Sequence, residues 1–260
     1  MTPIVALDGV EKSYDGPRGE RTIALARVSF SVAQQEFISL IGPSGCGKST
    51  ILNIIAGLLA PTSGSVRIAG EPPQAALDAR KIGVVFQDAV LLPWKTVVEN
   101  AGFLLMVAGR LDDAARARVD ELLRMVGLAD FHHHYPHQLS GGMRQRLSIA
   151  RALALDPLLL LMDEPFGALD EFTRHRMNVE LLDIWSATRK TVIFVTHNIA
   201  EAVYMSDRVI AMSPRPGRIV DDFRVHLPRP RTKEVRYTRE FNDCVVHLQR
   251  LLERDEDVTP

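Results

Sequence analysis

The stretch "SLIGPSGCGKSTILNIIAGL", residues 39 to 58, passes from a short apolar run through a glycine-rich turn into an apolar-periodic segment. It fits the pattern G-x-x-x-x-G-K-[ST] over Gly42, Pro43, Ser44, Gly45, Cys46, Gly47, Lys48 and Ser49, with Thr50 following. That pattern requires a strand before the turn and a helix after it. Glycines let backbone N–H groups turn inward around an anion, and the helix N-terminus adds partial positive charge. Lys48 then reaches the terminal phosphates of a nucleoside triphosphate, and Ser49 is placed to ligate Mg2+.

Around this turn, strand patterns alternate with helical ones: "IVALDGV", "IALARVSFSVA", "EFISLI", "SGSVRIAG", "KIGVVFQ", "LLLLMDE" and "TVIFVTH". The expectation is an α/β fold with a mainly parallel sheet and an antiparallel β subdomain near the N-terminus. Between Gln87 and Leu139 the strand signal stops, and "LDDAARARVDELLRMVGL" has helical periodicity, so a helical subdomain inserted at residues 88–155 is expected. From 214 to 260 an extension turns Pro- and Arg-rich and closes on an amphipathic helix in "VRYTREFNDCVVHLQRLLER".

Length and composition fit one large globular domain, with 260 residues, 46% hydrophobic and 24% charged. A net charge of −1 gives no global attraction for nucleic acid, so no nucleic-acid partner is expected. Two cysteines, Cys46 and Cys244, without a secretory leader, point to a reducing cytoplasm rather than a disulfide framework. Apolar runs such as "LLLLM" fall far short of the ~20 residues of a membrane helix.

The strand "LLLLMDE" ends in Asp163, which puts a carboxylate at the carboxyl edge of a parallel sheet, within reach of Mg2+ near the phosphates. The adjacent Glu164 is suited to accept a proton from an attacking water. "QLSGGMRQRLSIARAL" supplies a second anion-suited helix start at Ser140, Gly141 and Gly142, although one triphosphate needs only one primary cradle.

On these motifs the chain resembles the ATP-binding-cassette ATPase family over residues 4 to 223. The resemblance implies a P-loop NTPase core, ATP and Mg2+ as cofactors, and a head-to-tail dimer in which a second copy closes its signature loop over each nucleotide. It implies roles for four more residues. Tyr14 in "EKSYDG" would stack on adenine, Gln87 in "VVFQD" would sense Mg2+ and the γ-phosphate, and Asp170 in "GALD" would contact the opposite subunit. His197 after "TVIFVT" would contact the γ-phosphate and position Glu164 and water. Taken alone, Tyr14 would read as a strand packing residue and His197 as structural or solvated.

Two residues depart from the family pattern. Met143 stands where Gln is common, and Asn198 where Asp often follows the histidine. The run with His132, His133, His134 and His137 lacks a ligand pattern and reads as a solvated loop rather than a metal site. "RPRTKEVRYTR" reads as solvated surface, with anionic lipid as the other possibility. Cys46, beside Lys48 and a helix N-terminus, is expected to be a reactive thiol.

The resemblance implies the energising subunit of a bacterial importer, on the cytoplasmic face of the inner membrane. Its partners would be transmembrane permease subunits and, indirectly, a periplasmic-type solute-binding protein. "VVFQDAVLLPWKTVVENA" and "MSPRPGRI" look like the nitrate, sulfonate and taurine uptake subgroup. Leu91, Leu92 and Trp94 would offer apolar surface to the membrane subunit, or Trp94 would pack inside its own subunit. A soluble cassette ATPase of translation or DNA maintenance is the alternative. A P-loop kinase or GTPase fits less well, given "LSGG" and no N-K-x-D motif.

Overall fold

The computed structural model describes residues 3–16 and 20–256; residues 257–260 of the expected extension lie outside them. It comprises two compact units, one formed by the chain up to Ala79 together with the chain from Thr191, the other by Arg80–Lys190.

In the first unit, β1 (Val5–Asp15) is flanked by two antiparallel partners. Val5 lies opposite Val32 of β2 (Arg21–Val32) and opposite Ile68 of β4 (Ser63–Ile68). Val5 and Leu7 are buried at strand spacing, and a register shift after Leu7 brings Val10 onto the buried side as well. Between β2 and β4 run β3 (Phe37–Ile41), buried at every residue, and α1 (Lys48–Ile55). A short α2 (Pro73–Asp78) starts on a proline, whose missing N–H costs nothing in a first turn.

The second unit contains β5 (Ile82–Val85) and β6 (Leu159–Asp163), paired in parallel with Ile82 opposite Leu159. The chain between them is helical: α3 (Val97–Ala101), α4 (Phe103–Val107), α5 (Asp113–Met125) and α6 (Gly141–Leu153). Thr96 and Glu99 form a reciprocal capping box at the start of α3. The next N–H groups, of Val97 and Val98, donate to the His134 and His132 carbonyls, so the histidine run serves α3 through its backbone. Helix α5 buries Val119, Leu122 and Leu123, and Arg146 of α6 donates to the Val126 carbonyl at its C-terminal end. Helix α7 (Glu171–Thr188) follows β6 and buries Met177, Leu181, Ile184 and Trp185.

The chain then returns to the first unit with β7 (Thr191–Val195), α8 (Ile199–Met205), β8 (Arg208–Met212), β9 (Ile219–Arg224) and α9 (Arg239–Glu256). Strands β7 and β8 flank β3, both parallel to it, with Phe37 opposite Val192 and Ile38 opposite Arg208. Five consecutive buried residues in β3 and in β7 are what a strand covered on both faces requires. Strand β9 is antiparallel to β8.

Strands β8 and β9 are additions to the sequence expectation. "RVIAM" is a five-residue run ending against "SPRPG", and "IVDDFR" carries three charges, so neither stands out without its neighbours.

The Arg-rich stretch differs from expectation too. Arg231 is 6% exposed, and its Nη1 donates to the Val203 and Tyr204 carbonyls at 2.9 and 3.0 Å, satisfying the last turn of α8. Burial, with the nearby Arg229 charge, pushes Arg231 down to about 10. Arg236 stacks 3.9 Å over the ring of the fully buried Tyr204, whose hydroxyl donates to the Arg231 carbonyl. These arginines hold α8 rather than forming only a solvated surface.

Candidate nucleotide site

Strand β3 ends at Ile41 and α1 begins at Lys48, so Gly42–Gly47 is a turn between a buried strand and a helix. Gly47 sits at φ 108°, where a side chain would be strained, and a Cβ there would lie 2.5 Å from Leu25 Cδ2. No side chain caps α1. The helix starts at α6, α7 and α8 are each capped by their own residue: Ser140 Oγ accepts from the Met143 N–H, Asp170 Oδ1 from Thr173 and Asn198 Oδ1 from Glu201. An uncapped N-terminus behind a glycine turn leaves its first N–H groups to an external anion.

Lys48 is 5% exposed, and its Nζ donates to the Gly42 and Pro43 carbonyls at 2.8 and 2.9 Å. These bonds keep the ammonium among the loop's own backbone oxygens, which phosphate oxygens can replace. Ser44, Gly45 and Ser49 are exposed, and Pro43 and Thr50 are partly so.

Cys46 departs from the reactive thiol expected of it. It is fully buried, and that desolvation pushes its thiol up against the lowering effect of Lys48, whose Nζ lies 3.8 Å away. The cation is engaged by two carbonyls, and the thiolate would form without water.

His197 is exposed just beyond β7. Its neighbours form a closed ring: the Thr196 hydroxyl donates to Glu201 Oε2, Asn198 N–H donates to Thr196 Oγ1, and Glu201 N–H donates to Asn198 Oδ1. Asn and Asp cap helices about equally well, which gives the Asn198 departure a physical account. Tyr14 lies near the end of β1, 45% exposed, with Lys12 Nζ 5.2 Å from its ring centroid.

In the second unit, Asp163 closes β6 and is half-buried. Glu164 follows at φ 43°, in the left-handed region where a residue with a side chain is strained. Gln87 follows β5. The two side chains converge on Gly167: a Cβ built there would lie 3.4 Å from Gln87 Nε2 and 3.5 Å from Glu164 Oε2.

The Ser140–Gly142 turn packs on the start of α7. A Cβ on Gly142 would meet Met177 Sδ and Thr173 Cγ2, and one on Gly141 would meet Leu169. Asp170, which caps α7, therefore belongs to the same neighbourhood, and the Thr173 backbone N–H holds its carboxyl below the usual range. The N–H of Met143 is the group Ser140 caps, so position 143 contributes its backbone here whatever its side chain.

Gln145 and Arg151 are two further residues of α6 that hold the Gln87 segment. Buried Gln145 donates to the Phe86 carbonyl, and Arg151 donates to the Ala89 and Val90 carbonyls, both at 2.8 Å. Both side chains leave α6, and together they bracket the segment that carries Gln87. Polar positions at i and i+6 on a helix give no signal of a shared loop target.

The strand, glycine turn and uncapped helix define a P-loop nucleoside triphosphatase. The family model for the ABC transporter matches residues 25–167, and the chain belongs to that family as one of its ATPase subunits.

It is 44% identical over 245 residues to the taurine import ATP-binding protein TauB of Rhizobium johnstonii, covering 92% of this chain and 93% of that one. It is 50% identical over 207 residues to TauB of Burkholderia pseudomallei, covering 80% and 78%. Among solved structures it is similar to the ATP-binding cassette MJ0796 in a dimeric post-hydrolysis state bound to ADP and Pi. That likeness has a TM-score of 0.74 and 36% identity, covering 86% of this chain and all of the other.

Proposed function

We propose that this chain hydrolyses ATP to drive an importer for taurine or a related small solute such as a sulfonate or nitrate. The observation that carries the cargo class is the likeness to TauB along more than nine-tenths of both chains. The uncapped glycine turn with its buried lysine supports ATP as the fuel.

In this reading Gly42–Thr50 bind the phosphates, and Tyr14 stacks on adenine. The Ser49 hydroxyl, the Gln87 amide oxygen and the Asp163 carboxylate are hard oxygen donors, the set that suits Mg2+. Bound Mg2+ would neutralise charge on the terminal phosphates. Glu164 takes the proton from attacking water at its carboxylate, aided by its convergence with Gln87 on Gly167. His197 orients water and the γ-phosphate, on a turn held by Thr196, Asn198 and Glu201.

The active form is a dimer of two copies, in which Ser140, Gly141, Gly142 and Asp170 face the partner's nucleotide; the dimeric MJ0796 cassette supports this. Closing on ATP and opening after hydrolysis is the stroke passed to transmembrane permease subunits. Residues 88–155 act as the helical signature subdomain and 214–260 as a C-terminal extension.

The likeness to the import ATP-binding protein TauB supports a peripheral contact with the permease at the cytoplasmic face of the inner membrane; among the described residues no helix is long and apolar enough to cross a membrane. Trp94 is 71% exposed, and the next residue, Lys95, lines a cleft of about 390 Å³ in which Val98, Met106 and Val119 stand with the charged Glu99, Arg116 and Asp120; an exposed tryptophan next to such a cleft supports a docking site.

The test reconstitutes the chain with the permease and binding protein encoded beside it and measures ATP-dependent uptake of labelled taurine, sulfonates and nitrate. Uptake that needs ATP and is lost with Glu164→Gln supports the proposal. A complex that exports, or that hydrolyses ATP without moving any of these solutes, overturns it.

A further inference from the structure

The turn between β8 and β9, "MSPRPGRI", lies far from the phosphate loop in sequence but is in contact with it in the fold. Gly217 is pinned to β2 at both backbone groups: its N–H donates to the Ala24 carbonyl at 2.9 Å, and its carbonyl accepts from the Ala26 N–H at 3.0 Å. A Cβ on Gly217 would fall 1.9 Å from the Cys46 carbonyl oxygen. Arg215 Nη2 donates to the Gly45 carbonyl at 3.4 Å, and the Met212 carbonyl lies 2.8 Å from where a Gly42 Cβ would be. Ser213 ties the turn internally: its N–H donates to the Arg218 carbonyl, and its Oγ accepts from the Arg218 N–H.

A trans peptide carries its C=O and N–H on opposite edges. The Gly45 carbonyl is held by Arg215, so the Cys46 N–H of the same peptide points the other way, where it donates to the Pro43 carbonyl at 3.3 Å. The Cys46 carbonyl is backed by Gly217, so the Gly47 N–H is turned away from that contact in the same manner. Lys48 Nζ also donates to the Pro43 carbonyl, so the Cys46 N–H and the ammonium converge on one carbonyl of the loop.

From this geometry we infer that the 212–218 turn is a buttress that aims the phosphate loop, with Arg215 and Gly217 as positioning residues for nucleotide binding. The inference rests on the reading of Gly42–Thr50 as a nucleotide cradle. Neither residue needs to touch nucleotide, because each acts by fixing the orientation of a peptide plane within the phosphate loop.

Equilibrium binding of a fluorescent ATP analogue to the full chain, with steady-state hydrolysis, tests it. Arg215→Ala is expected to raise Kd and KM for ATP by about ten-fold with kcat changed less than about two-fold, and Arg215→Lys to recover most of the loss. Arg215 is exposed, so melting without nucleotide should stay at the wild-type value. Gly217→Ala, which must displace the Cys46 carbonyl because Gly217 is pinned to β2, is expected to weaken binding by about a hundred-fold or more. Wild-type affinity in Arg215→Ala, or a fall in kcat at unchanged Kd, overturns the inference even if Gly217→Ala fails to fold. A wild-type chain that binds no ATP would instead overturn the nucleotide reading itself, before any variant is compared.

Discussion

Gln145 Nε2 donates to the Phe86 carbonyl at 3.0 Å, one residue before Gln87. Gln145 is 4% exposed and leaves the helix that starts at Ser140, so one side chain links that helix to the backbone of the Gln87 segment. Gln145→Ala would strip a part-buried carbonyl of its donor, at a cost of about 1–3 kcal/mol. Thermal unfolding should show that loss. Kinetics should show kcat falling more than KM rises, since Gln87 is displaced while Gly42–Thr50 are untouched.

Glu164→Gln keeps shape and removes the proton acceptor. Its kcat should fall about 10²- to 10⁴-fold with KM for ATP nearly unchanged, and gel filtration with ATP should show a trapped dimer. Near-normal turnover would remove Glu164 from the role of base.

Burial raises the Cys46 thiol above its ordinary value of 9.0. The protonated form is therefore favoured by the fold, and the associated stability is complete below pH 9 and is lost as pH rises through the folded-state value. At pH 8, a neutral maleimide should label Cys46 at least about ten-fold more slowly in the native chain than in denaturant, with or without ATP. Fast native labelling would contradict the buried thiol.

Trp94 is 71% exposed, which favours the surface reading of this residue over packing inside its own subunit. Trp94→Ala should change the stability of the isolated chain by no more than about 0.5 kcal/mol. A core tryptophan would lose about 3–5 kcal/mol. Co-purification with the permease should weaken in the same variant.

Helix α9 is anchored by Phe241 and Leu248, 4% and 0% exposed, seven residues apart on one face. Leu248→Ala should cost about 2–5 kcal/mol in thermal unfolding, whereas Val246→Ala, on the exposed side, should be close to neutral.

The glycine turn at Gly42–Gly47, strand β3 before it and the adjacent Asp163 and Glu164 at the end of β6 are legible in the chain because their requirements are local. A glycine at φ 108°, a lysine one residue later and a strand buried along its whole length each leave a mark on consecutive letters. Other properties came only from what packs against a side chain. Cys46 reads as activated beside Lys48 until two carbonyls claim the ammonium and the core covers the sulfur. Arg231 reads as solvated until the end of α8 is found on its guanidinium. "PRPG" reads as a turn in any chain; only the fold sets Gly217 against Cys46, because close packing brings segments together by shape, and shape is written across the whole chain rather than at either contact.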